Sequence, residues 1–133
     1  MQNAEFLKAW GVSALFFTVV DAVWLGYLAR DFYKQQLGPL MLERPLWLAA
    51  ILFYVIYTLA IVVLAGMPAA RDMSWETALL NGAVLGLAAY GAYDLSNLAT
   101  LKSWPFMLTV VDMAWGTLLT ACTAYLAFYF LQR

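Results

Sequence analysis

The chain contains no histidine, which removes the commonest side chain for acid–base work at neutral pH and the commonest transition-metal ligand. It contains one cysteine, Cys122, so neither an intrachain disulfide nor a cysteine-built metal cluster can form. Set in an apolar run, Cys122 is expected to be a small, buried packing residue. No glycine-rich phosphate loop is present. Charge is scarce as well: 7 Lys and Arg face 8 Asp and Glu, for a net charge of -1. That balance offers no basic surface, and no nucleic-acid partner is expected. These residues name no cofactor and no catalytic group, and no metal site is expected.

What fills the space is hydrocarbon. Of the 133 residues 65% are hydrophobic and only 11% charged, and mean hydropathy is +0.78. Soluble domains average about a quarter charged residues, so the composition is that of a membrane protein. Four apolar segments, 9–29, 45–66, 77–101 and 105–131, each approach the ~20 residues that a spanning helix needs. The expected fold is all-α: one domain over 1–133, a multi-pass antiparallel bundle of four transmembrane helices with both termini on the same side. The opening Met1 to Lys8, with one lysine and one glutamate, makes a poor signal-peptide start, so the first segment is expected to be retained.

The breaks between segments have local causes. Arg30 and Asp31 end the first, and Gly38-Pro39 marks a turn before the second. Pro45 suits a first helical turn, where its missing N–H costs nothing, and Gly66-Met67-Pro68 is expected to stop that helix. Ser74 is a fitting N-cap, with Glu76 in the first turn after it. The short Lys102-Ser103-Trp104-Pro105 connection makes the third and fourth helices antiparallel neighbours. Trp10, Trp47, Trp75 and Trp104 fall near segment ends, where interfacial aromatic belts are expected. Gly82 and Gly86 form a G-x-x-x-G pair suited to close helix packing.

Against this background three aspartates stand out. Asp21, Asp94 and Asp112 lie inside the first, third and fourth segments, where a carboxylate is costly and faces a bundle interior or a wet cavity. Counting from the segment ends at 1.5 Å per residue puts them roughly 10–13 Å from one face, with Tyr54 of the second segment in the same layer. Asp21 and Asp112 share a V-V-D-x-x-W pattern, with Trp24 and Trp115 one turn on. Tyr90, Asp94 and Asn97 follow helical spacing, and so do Thr109, Asp112, Gly116 and Thr123.

Four roles suit such a cluster. The acids could lock helices together through hydrogen bonds. They could titrate, since close carboxylates in a low dielectric cannot all ionise. They could hold a hard cation or a ligand ammonium, with Trp24 and Trp115 adding cation–π contacts. Or Arg30, Arg44 or Lys102 could reach in from the rim. The ligand-binding set expected from these considerations is Asp21, Trp24, Tyr54, Tyr90, Tyr93, Asp94, Asn97, Asp112 and Trp115.

From Tyr93 to Pro105, Y-D-L-S-N-L-A-T-L-K-S-W-P, and again at Val111-Asp112-Met113-Ala114-Trp115-Gly116, the chain resembles a bacterial family of small predicted membrane proteins with a domain of unknown function, family 2177. The likeness extends to Asp21 and Trp24 and covers nearly the whole length. It implies a four-helix protein of the bacterial inner membrane and carries over no activity. Three functions therefore stand side by side. One is a binding or transport module for a small cation, a proton or an amphiphilic, lipid-like ligand, working as a homodimer in the bilayer. The second is an enzyme or accessory factor of membrane-lipid modification, with Asp94 and Asp112 as acid and base and Asn97 and Tyr93 orienting the substrate. The third is a structural membrane subunit.

Overall fold

The structure, a computed structural model, describes residues 2–132. Among them it is all-helical. Helix α1 (Gln2–Val23) runs on through a π-helical turn, Trp24–Leu28, and after Ala29 the chain forms a short second helix, α2 (Arg30–Leu37). A 3-10 turn, Gly38–Leu40, leads toward α3 (Trp47–Ile61). That helix continues through a second π-turn, Val62–Gly66, into α4 (Met67–Asp72), and α5 (Trp75–Thr100) and α6 (Phe106–Leu131) complete the fold. Three stretches are long and apolar enough to cross a membrane: Asn3–Leu28, Trp47–Asp72 and Phe106–Leu131. The fourth expected span, now α5, is equally long, but Glu76, Asn81, Asp94, Asn97 and several glycines dilute its hydropathy.

Two expected boundaries are corrected. Gly66-Met67-Pro68 does not stop a helix. Proline removes the N–H that would bond the carbonyl four residues back, here that of Leu64. The preceding π-turn absorbs the misfit, and Asn81 of α5 reaches that carbonyl with its side-chain amide at 3.5 Å. The segment after Arg30 is likewise not a plain loop. Helix α2 buries Tyr33 and turns Arg30 and Lys34 outward. It ends at Gly38, whose φ of 55° lies in the left-handed region that glycine adopts without penalty. The Ser74 cap forms as expected: the Thr77 amide donates to Ser74 Oγ at 3.1 Å.

Helices α5 and α6 pack closely and antiparallel, and glycine permits it. A Cβ on Gly82 would sit 2.7 Å from the Cβ of Ala124, and one on Gly86 2.6 Å from the Gly116 carbonyl oxygen. The G-x-x-x-G pair thus brings two helices of one chain together. Helix α1 lies against α6 and α3. Phe17, Tyr57, Ile61, Ala65, Leu119 and Ala124 form a buried apolar cluster among them. Ala29, Tyr33, Trp104 and Leu108 form another, where α2 meets the start of α6.

Two side chains depart from expectation. Cys122 is exposed, because the buried stripe of α6 is carried by Thr120, Thr123 and Ala124 and position 122 points away from it. Trp104 is buried, donates its indole N–H to Thr109 Oγ1 at 3.1 Å and packs edge-on against Tyr93. It is thus a core residue of the α5–α6 connection, while Trp47 and Trp75 are exposed.

Candidate functional site

Five elements converge on the three aspartates. Asp21 comes from α1, Asp94 from α5 and Asp112 from α6, and all three are buried. Helix α3 sends Tyr54, whose hydroxyl donates to Asp21 Oδ2 at 2.7 Å. The other Asp21 oxygen accepts the Trp115 indole N–H at 3.0 Å. Helix α2 sends Tyr33, whose hydroxyl donates to Asp112 Oδ1 at 2.7 Å and itself accepts the Trp24 indole N–H at 3.2 Å. Burial above all, with the adjacent Asp112 carboxylate, holds the Tyr33 hydroxyl above the ordinary tyrosine pKa, so it stays protonated and donates.

The V-V-D-x-x-W repeat acquires a geometric meaning here. Because α1 and α6 run in opposite directions, the tryptophan of each copy lies level with the aspartate of the other. Trp115 serves Asp21 directly, and Trp24 serves Asp112 through Tyr33. The indole faces stack on each other, with centroids 4.3 Å apart. Each ring thus presents a face to its partner, and the N–H groups are the parts that address the acids.

Asp94 is the exception. It is 0% exposed, yet neither carboxyl oxygen meets a hydrogen-bond donor among the described residues. Its acidic neighbour is Asp112, on the wall of the same cavity. A buried polar atom without a partner costs roughly 1–3 kcal/mol, and more if charged.

A cavity of about 470 Å³ opens on this group, within the range typical of small-molecule sites. Leu25, Leu37, Met41, Ala50, Phe53, Ala89 and Leu108 give it apolar walls. Asp21, Asp94 and Asp112 line it together with Tyr33, Tyr54, Tyr90 and Tyr93. Six of the nine expected ligand-binding residues therefore line one cavity. Trp24 and Trp115 stand behind two of the acids. Asn97 is half-buried and does not line the cavity: it lies almost a full turn beyond Asp94 toward the end of α5.

Tyr33 was not among the expected residues. It sits in a segment that reads as a loop, and the available signal was the Tyr33 and Leu37 pair four apart, which would share a helix face. The aspartates' donors are Tyr33, Tyr54 and Trp115, not the rim cations Arg30, Arg44 and Lys102. Gly116 is also part of the site, since a Cβ there would run into the Tyr90 ring. Among the described residues no group of acids converges as a metal cage would require.

No curated protein and no solved structure matches the chain. A family described as "Predicted membrane protein (DUF2177)" matches residues 6–129. With its three membrane-length apolar helices, the chain belongs to the DUF2177 family of membrane proteins.

Proposed function

We propose that this protein is a binding module of the bacterial inner membrane whose cavity takes an amphiphile, with the polar end of the ligand on Asp94 and Asp112. The observation that carries this is Asp94, a fully buried carboxyl group that lines a ligand-sized cavity and meets no donor among the described residues. The apolar walls suit a hydrocarbon chain. The paired acids suit a group that brings hydrogen-bond donors or positive charge, a primary ammonium above all, because two neighbouring carboxylates in a low dielectric repel until a proton or a cation joins them.

The reading includes a fourth crossing by α5. That helix packs antiparallel along α6, and its polar residues Asp94 and Asn81 face other helices, as polar groups in a membrane bundle do. Four crossings place both termini on one side, in keeping with Lys8 lying over the Phe130 ring at 5.5 Å. The aspartates then lie within the membrane, and a homodimer would enclose the cavity mouth.

Dodecylammonium is the direct probe. It should raise the melting temperature of the detergent-solubilised protein, whereas dodecanoate should not, and Asp94→Asn should abolish the shift. Equal shifts in wild type and variant would overturn the assignment. A second reading, acid–base chemistry on a bound membrane lipid, draws on Asp94 and Asp112 lining one cavity, since such chemistry needs paired titratable groups within reach of the substrate. A lipid profile left unchanged by deletion of the protein would remove it.

A further inference from the structure

Beside the cavity lies a second recess of about 370 Å³, lined by Arg30, Lys34, Gly38, Met41, Leu42 and Glu43. We propose that this recess takes the phosphate of an anionic bilayer phospholipid, and that the contact holds α2, and with it Tyr33, over Asp112.

Arg30 and Lys34 are one turn apart on the exposed face of α2, so their side chains are neighbours. Among the described residues no ion pair ties either of them to a carboxylate. Glu43 shares the recess and offsets one of the two cations, which leaves a net positive site. Gly38 places no side chain in it, and the positive φ there bends the chain so that Met41 and Leu42 close the far wall.

A lipid fits this place better than a soluble anion does. Only Ala29 separates α2 from the end of the membrane-length helix Asn3–Leu28, so the two cations stand at headgroup level. From the last residue of the Gly38–Leu40 turn onward, Leu40, Met41 and Leu42 are all exposed. Three consecutive large apolar side chains find cover among acyl chains, while basic residues just outside a span attract anionic headgroups.

Helix α2 carries both contacts. Arg30 and Lys34 face the recess, while Tyr33 donates to Asp112 and Leu37 lines the cavity. Met41 lines both spaces. Arg30 and Lys34 adjoin Tyr33 and Leu37 on one stripe of the helix, so a phosphate seated on the two cations steadies the hydroxyl that serves the acid cluster. This inference does not depend on what the cavity binds, since it concerns the recess that Arg30 and Lys34 line.

The test is native mass spectrometry of the protein released from micelles containing equimolar phosphatidylglycerol and phosphatidylcholine. Wild type should retain phosphatidylglycerol preferentially. The double variant Arg30→Gln/Lys34→Gln should retain about thirtyfold less, on the scale set by interfacial basic residues. Arg71→Gln, at the opposite end of the molecule, should behave as wild type. Hydrogen exchange of residues 30–37 should be slower in phosphatidylglycerol nanodiscs than in phosphatidylcholine nanodiscs, with the difference lost in the double variant. Unselective lipid retention by wild type, an equal loss in Arg71→Gln, displacement by millimolar inorganic phosphate, or identical exchange in both nanodiscs would each overturn the proposal. Asp94→Asn, which removes the cavity's unpaired acid, should leave phosphatidylglycerol retention unchanged, so failure at the cavity and failure at the recess are separately visible.

Discussion

Trp24 and Trp115 stack face to face across α1 and α6, with planes 8° from parallel, and each sends its N–H toward the aspartate system of the other helix. The stack joins the two halves of the site. One half is Asp21 with Tyr54 and Trp115, and the other is Asp112 with Tyr33 and Trp24. Hydrogen bonds to a charged group contribute about 1.5–3 kcal/mol each, which makes the donors the first residues to alter.

Trp115→Phe keeps an aromatic ring in the stack and removes the donor from Asp21, leaving Tyr54 alone on that carboxyl. The variant should lose about 2 kcal/mol of stability, read as a lower melting temperature in detergent. Trp115→Tyr should not recover the loss, because a phenol hydroxyl leaves the ring in a different direction from the indole N–H.

Tyr33→Phe tests the tie between α2 and the core. It removes the hydroxyl that donates to Asp112 at 2.7 Å and accepts from Trp24. Hydrogen exchange over residues 30–37 should rise well above wild type while α5 and α6 stay protected. Unchanged exchange in α2 would show that the packing of Tyr33, Trp104 and Leu108 holds the helix without the hydroxyl.

Much of the site was legible because carboxylates are conspicuous in hydrocarbon. Depth counting placed Asp21, Asp94, Asp112 and Tyr54 in one layer, and the cavity they share follows from that layer together with inward-facing polar stripes. What escaped was set by tertiary contacts. Tyr33 lies in a segment too short and too polar to read as a helix, and it becomes a donor only because α2 folds back on α6. Pro68 reads as a stop, and a π-turn with Asn81 from another helix overrides it. Cys122 reads as core from its apolar neighbours, although the buried stripe of α6 passes it by, through Thr120, Thr123 and Ala124.

Gly116→Ala should destabilise the fold at the cavity. The added Cβ runs into the Tyr90 ring, which itself lines the cavity. Overpacking of this kind costs typically 1–3 kcal/mol. The loss should be partly recovered by Tyr90→Leu in the same chain, since the obstacle is the ring. An additive pair of losses in the melting temperature would contradict this.

Asp94→Asn should leave stability unchanged or higher, in contrast to the donor variants. Among the described residues the carboxyl meets no donor, and the replacement amide can donate to Asp112. Exchanging a buried carboxyl that meets no donor for an amide that can donate is neutral or stabilising. A fall of more than about 1 kcal/mol in unfolding free energy would mean that Asp94 holds the fold together and is not kept for a ligand.

Ligand binding in the cavity depends above all on Asp94 as a contact. The measurement that tests it most directly is native mass spectrometry of gently solubilised wild-type protein beside Asp94→Asn. A discrete bound mass present in wild type and lost in an equally stable variant is the predicted result, and that mass would give the class of the ligand. Identical spectra without bound mass from two equally stable proteins would contradict it.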